Sequence, residues 1–238
     1  MTRENEYTIT GRVRFSEIDH SRRMTLPAII NYFQDSSIFH SESIGYGLEF
    51  LGKRNRAWVL SAWQIVIDRY PELGEEISVS TFASGFKGIC GDRNFYMKDG
   101  HGETIAYANS LWVYMDIEKG RPAKPDAKEV EAYGVSEPLE MGASPRKIAL
   151  PERMMEMPSF PVRKYHIDTN EHVNNCQYIQ MAKELYEGEQ VRQVRAEYKK
   201  SAVYNDMIVP RVGREDGRTV VELCSTQGQA FAAVEFKD

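Results

Sequence analysis

The chain is predicted to be an α+β protein made of two tandem domains, each an antiparallel β-sheet wrapped around one long α-helix. Three observations predict this. A passage near the N-terminus recurs in the second half, each copy leads into an apolar pattern with helical spacing, and each helix is followed by a run of strand-like segments with short connections. Val13-Arg14 and Ile18-Asp19 return 149 residues on as Val162-Arg163 and Ile167-Asp168, with Met24 matched by Val173. At the same spacing Ser21 faces Asn170 and Arg23 faces His172, so one copy holds a polar constellation that the other lacks.

Tyr7 to Ile18 alternates as a strand does. Thr25-Leu-Pro27 then offers a capping hydroxyl with proline in the first turn, and a helix is expected to start there. Its apolar face is Ile29, Ile30, Phe33, Ile38 and Ile44, and Gly45 and Gly47 stop it. Arg56 to Tyr70, Glu75 to Phe86, Asp92 to Lys98 and Thr104 to Ile117 are rich in aromatic and β-branched residues and read as strands. With no crossover helix between them, these strands pair antiparallel. In the second half Phe160 to Ile167 reads as a strand and Asn174 to Glu187 as a helix with Tyr178, Ile179, Ala182, Leu185 and Tyr186 on its apolar side. Strands are expected at Gln193 to Tyr204, Met207 to Arg214, Arg218 to Ser225 and Gln229 to Phe236. Lys119 to Met157, with five prolines, three glycines and one helical candidate at Asp126 to Tyr133, reads as a linker over the surface. The domains are therefore placed at residues 1–118 and 158–238, with the linker at 119–157.

Hydrophobic residues make up 42% and charged residues 27% of the chain, and no apolar run approaches the roughly 20 residues that cross a bilayer, so membrane insertion is not expected. The polar start, Met1-Thr-Arg-Glu-Asn-Glu-Tyr7, has no apolar core of a signal peptide, and a cytoplasmic location is expected. Cys90, Cys176 and Cys224 lack the paired spacing of disulfides or zinc sites. A net charge of −5 argues against nucleic acid as a partner.

The strongest chemical signal is Asp168-Thr-Asn-Glu-His-Val-Asn-Asn175, which sets a carboxylate, the amides of Asn170 and of the Asn174-Asn175 pair, and an imidazole just before the second helix. Asp and Asn before a helix also serve as ordinary caps. His166, Asp168 and His172 form a conceivable metal set, but a third neutral or thiolate ligand at fitting spacing is lacking. Cys176, at the helix start, is either a small core residue or a thiolate nucleophile.

Asp168-x-Asn170-x-His172-Val-Asn-Asn175 followed by Tyr178-Ile179 resembles the signature of the acyl-acyl carrier protein (acyl-ACP) thioesterases, and Arg14-Phe-Ser-Glu-Ile-Asp19 resembles their N-terminal domain. The resemblance covers nearly the whole chain and implies two hotdog domains in tandem. It implies hydrolysis of fatty acyl-acyl carrier protein, with no metal or organic cofactor, by Asp168, Asn170 and His172. The first domain would serve as acyl-chain pocket. Glu197-Tyr-Lys-Lys200 resembles the stretch before the family's last catalytic position, where relatives carry Glu, but here Ser201-Ala202 follow. Ser201 is either a plain strand serine or holds a water that does part of the same work; the other substitute is Glu197, which shares the strand face of Ser201 at period two and so can reach in.

Thioester hydrolysis needs an activated water, a donor for the developing oxyanion, and a site that orients both. His172 suits the general base because imidazole titrates near neutral pH. Asn170 can fix a water or the carbonyl, and Asp168 either holds the turn or polarises His172. The first backbone N–H groups of the second helix are candidate oxyanion donors. In the first half, Asp19 and Arg23 are expected to cap or to pair with each other. The reaction partner implied is an acidic acyl carrier protein, for which Arg12, Arg14, Arg22, Arg23, Lys199 and Lys200 are the candidate docking residues. A tandem pair is adequate as a monomer, while exposed sheet edges allow a homodimer. Two rival readings are an acyl-binding module without catalysis and another hotdog enzyme, such as an acyl-CoA thioesterase or a hydratase.

Overall fold

The structure, a computed structural model, describes residues 5–142 and 144–238. They fall into two compact units, 5–61 with 67–142 and 62–66 with 144–238.

In the first unit, β1 (Tyr7–Arg12) precedes α1 (Leu26–Ser43), α2 (Leu48–Lys53), β2 (Arg56–Ile67), β3 (Glu76–Lys87), β4 (Cys90–Asp99), β5 (Thr104–Asp116), β6 (Arg121–Pro122) and α3 (Ala127–Tyr133). The strands run in the order β1-β3-β4-β5-β2, with β6 beside β5. The pairings β1–β3, β3–β4, β4–β5 and β5–β6 are antiparallel. Thr25 caps α1 by accepting Ala28 N–H at 3.3 Å, with Pro27 in the first turn. Ile29, Ile30 and Phe33 are fully buried against the sheet, where the Phe33 and Phe95 rings lie 5.4 Å apart. The helix α2 was not expected. It is six residues long, buries only Leu51, and carries a Glu49–Lys53 ion pair at 2.6 Å, so its apolar period is too short to read.

The second unit holds β7 (Met155–Glu156), β8 (Phe160–Pro161), α4 (Asn175–Lys183), β9 (Gln193–Tyr198), β10 (Met207–Glu215), β11 (Arg218–Cys224) and β12 (Ala230–Lys237). Its strand order is β9-β12-β11-β10, with β7 and β8 on β10. Residues 62–66 of β2 pair antiparallel with β9 and group with this unit for that reason. Ile179 and Ala182 of α4 are buried, as are Val194, Ala196, Val221, Val234 and Phe236 of the sheet. Both units thus have the antiparallel sheet and central helix of the predicted α+β hotdog pair.

Two expected strands are cut short in the same way. After Arg12 and after Pro161 the chain turns into a single 3-10 turn, Phe15–Glu17 in one unit and Lys164–His166 in the other. A side chain three residues on accepts the preceding backbone N–H in each case: Glu17 that of Arg14 at 2.8 Å, and His166 Nδ1 that of Arg163 at 3.0 Å. Within the linker, α3 begins at the expected Asp126 cap. Residues 145–149 are pinned to the second sheet: Arg195 donates to Pro145 C=O, Arg218 to Ala149 C=O at 2.9 Å, and Ile148 packs with Val220 and Ala233.

Candidate active site

His172 is delivered by a tight turn that Asp168 builds. Glu171 N–H donates to Asp168 C=O at 3.1 Å, Asp168 N–H donates to His172 C=O at 2.8 Å, and Asp168 Oδ1 accepts Asn170 N–H at 2.8 Å. Glu171 has the left-handed φ of +61° that such a turn requires. Ile167 then bridges Val173 and His172 bridges Val203, while Val173 N–H donates to Ala202 C=O at 2.9 Å. Asn174 caps α4 by accepting Cys176 N–H at 2.9 Å, and its own N–H donates to His166 C=O at 2.9 Å.

The turn brings Asp168, Asn170 and His172 together in one short segment. Asp168 is half-buried and its carboxylate holds the turn, which is one of the two roles expected of it. Asn170 and His172 are exposed, and neither side chain has a hydrogen-bond partner among the described residues. Ser201 is exposed as well, and it does not lie on a strand. The strand expected to reach Tyr204 ends at Tyr198, because the N–H groups of Lys199 and Lys200 both turn to Phe231 C=O, at 2.8 and 3.2 Å. Ser201 and Glu197 therefore do not share a strand face. Glu197 accepts Ile148 N–H at 3.1 Å instead and is committed to the linker.

Ser201 nevertheless lies beside the motif, since Ala202 next to it accepts the Val173 N–H. Ala202 N–H is held in turn by the Tyr178 hydroxyl at 2.7 Å. Tyr178 reads in the sequence as part of the apolar face of α4, which it is; its polar duty has a signal only in the contrast with Ile29 at the matching position of the first half.

Burial pushes the Cys176 thiol up to about 12, which keeps it protonated and removes it as a thiolate nucleophile. His166 Nδ1 is occupied by Arg163 N–H, and burial together with the Arg163 charge lowers its pKa. Among the described residues no cluster of His, Cys, Asp or Glu is placed to ligate a metal. In the first unit Asp19 accepts both the N–H and the hydroxyl of Ser21, at 2.8 and 2.6 Å, and so caps its own turn. A cleft of about 240 Å³ lies at the start of α1, lined by Arg14, Glu17, Asn31, Tyr32 and Asp35, and one of about 550 Å³ lies between Lys199 and residues 147–150. His172 lines neither.

The acyl-ACP thioesterase N-terminal domain model matches residues 4–132, and the acyl-ACP thioesterase C-terminal domain model matches residues 151–237. A palmitoyl-acyl carrier protein thioesterase of Cuphea hookeriana is 29% identical over 185 residues, covering 70% of this chain and 43% of its own. An oleoyl-acyl carrier protein thioesterase of Coriandrum sativum is 26% identical over 251 residues, covering 95% of this chain and 68% of its own. The chain spans about half the length of several curated relatives it matches. Among solved structures, an acyl-ACP thioesterase from Bacteroides thetaiotaomicron superposes with a TM-score of 0.89 at 22% identity, covering 98% of this chain and 97% of its own. A 12:0-ACP thioesterase from Umbellularia californica does so with a TM-score of 0.82 at 19% identity, covering 100% and 98%. These superpositions establish the fold.

Proposed function

This chain belongs to the acyl-ACP thioesterase family, and we propose that it hydrolyses fatty acyl-acyl carrier protein to a free fatty acid and the carrier thiol. His172 takes a proton from water as the water oxygen attacks the thioester carbonyl carbon. Asn170 orients that water or the carbonyl, and Asp168 holds the turn that presents both residues. Cys176 and Gln177 N–H are already taken by Asn174, so among the described residues Asn175 N–H is the helix-start donor left for the oxyanion. Collapse of the tetrahedral intermediate breaks the C–S bond, and the leaving sulfur receives the proton from His172. Every step uses protein groups and water, with no metal or organic cofactor.

The observation that carries this reading is the Asp168 to Asn175 motif folded as a turn at the entry to α4, in a chain matched by both family models. The first hotdog unit is assigned the acyl chain, as the family resemblance implies. The cytoplasm is kept as the location, in line with three free cysteines.

For the carrier, the candidate docking residues differ in how far their charges are already paired. Arg12 pairs with Glu76 at 2.6 Å, Arg14 with Glu17 at 3.7 Å and Lys199 with Glu222 at 3.4 Å, while Lys200 donates to Gln229 at 2.9 Å. Arg163 and Lys164 are exposed without an ion pair among the described residues, and they directly precede Tyr165, which is 77% exposed. They stand just ahead of the motif, where they can meet an acidic partner, and Arg22 and Arg23 are exposed in the matching loop of the first unit.

A panel of acyl carriers of graded chain length tests the proposal, with released fatty acid as the readout. Release from at least one carrier supports hydrolysis. Serine in place of the family Glu favours the second reading, a binding module; tight acyl-carrier binding without release would select it.

A further inference from the structure

The two units share one hydrogen-bond frame around the loop that precedes each central helix. In the first, Asp19 N–H donates to Arg23 C=O (3.0 Å), Arg22 N–H to Asp19 C=O (3.0 Å), Met24 N–H to Pro71 C=O (2.8 Å) and Thr25 N–H to Glu17 C=O (2.8 Å). In the second, the same four bonds are Asp168 to His172 (2.8 Å), Glu171 to Asp168 (3.1 Å), Val173 to Ala202 (2.9 Å) and Asn174 to His166 (2.9 Å). Arg22 and Glu171 have φ of 64° and 61°. The facing turns match too: the Glu75 carboxylate accepts Glu72 N–H and the Asp206 carboxylate accepts Val203 N–H, each at 2.9 Å. A frame that two different sequences build alike is set by the backbone, so the residues that differ isolate what the second unit adds.

Two differences combine into one bond. Pro71, which has no N–H, is matched by Ala202, and Ile29 is matched by Tyr178, each pair at the same place in the frame. Ala202 N–H donates to the Tyr178 hydroxyl at 2.7 Å, with the two residues 0% and 2% exposed. The first unit forms its frame without any such bond, so the fold does not demand it.

We infer that Tyr178 is a positioning residue for thioester hydrolysis, its phenol fixing the Ser201-Ala202 peptide against the loop that carries His172. This rests on the hydrolase reading above. Ala202 is gripped from both sides, by Tyr178 at its N–H and by Val173 N–H at its C=O, and the next residue, Val203, bridges His172. The phenol stays protonated in this role, because burial, with the charges of Asp206 and Asp168 adding to it, pushes its pKa up to about 12. Without the phenol oxygen, Ala202 N–H is a buried donor with no partner, and Ala202 loses one of the two backbone bonds that fix it beside the loop. A displacement of about 1 Å in a catalytic group costs on the order of 100-fold in rate.

The test uses Tyr178→Phe, Ala202→Pro and the double variant on an acyl carrier thioester that the parent hydrolyses. Tyr178→Phe should lower kcat at least ~10-fold with KM within about twofold, since the loss falls on orientation in the transition state. The double variant has neither donor nor acceptor, as in the first unit. It should recover the parent's melting temperature while kcat stays low, a split that a merely structural bond would not produce. Parental kcat in Tyr178→Phe, or kcat restored in the double variant, would overturn the inference. So would a double variant that cannot fold, because the frame would then depend on the bond. A parent inactive on every carrier would instead sink the hydrolase reading, which is a separate result.

Discussion

Acidification should weaken the first unit through His40, and the structure sets the size of the effect. His40 is buried on α1, with its ring 5.9 Å from that of Tyr7 and 5.7 Å from that of Tyr133. Arg93 Nη1 lies 2.9 Å from His40 Nδ1. A guanidinium can only donate, so the neutral ring accepts at Nδ1 and carries its hydrogen on Nε2. A proton on Nδ1 would place two positive charges in contact away from water. Burial and the Arg93 charge accordingly hold the His40 pKa down at about 3, against 6.5 for the ordinary ring. Burial, offset only in part by Tyr133, lowers Arg93 itself to about 10, so it remains charged throughout. The folded pKa lies below the unfolded one, so the unfolded chain takes up the proton first. The stability supplied by the neutral ring is complete above about pH 6.5 and is lost as pH falls, at about 1.4 kcal/mol per unit, which amounts to about 2 kcal/mol by pH 5. Urea unfolding at pH 7, 6 and 5, followed by the fluorescence of Trp58, Trp63 and Trp112, measures it. His40→Gln, which can still accept from Arg93, should flatten most of the slope. Equal stability at pH 7 and pH 5 in the parent, or an unchanged slope in His40→Gln, would refute the reasoning.

Reversing the charges of Arg163 and Lys164 to Glu should lower kcat/KM for an acyl carrier about 10-fold and leave a small soluble thioester unaffected, because the loss lies in docking; equal losses on both substrates would reject that surface. Cys176→Ala should keep the parental rate within about twofold and cost about 1 kcal/mol of stability from the small cavity. A 100-fold loss of rate would restore the thiol as a nucleophile.

Much of the fold was legible because the long elements keep an apolar pattern over many residues, alternating in β5 and continuous in β11 and β12, which are buried on both faces. Leu26–Ser43 and Thr104–Asp116 carry enough period to be read directly. The ends were not legible. Tyr7 to Ile18 and Phe160 to Ile167 continue to alternate after their strands have stopped, since the turn depends on Glu17 and His166 reaching back to a backbone N–H, which alternation does not record. The same holds after Tyr198, where two N–H groups share Phe231 C=O and take Ser201 off the sheet. At the site, Asp168, Asn170 and His172 were readable as a segment because the turn is local. The bond between Tyr178 and Ala202 joins residues far apart in the chain, and only the folded frame brings them together.

The measurement that bears most directly on the central claim is steady-state hydrolysis of an acyl carrier thioester by the parent and by His172→Ala, with circular dichroism of both. The ring is exposed and holds no hydrogen bond among the described residues, so its removal should leave the fold intact while kcat falls at least ~100-fold. A folded His172→Ala variant that releases fatty acid at the parental rate would contradict it.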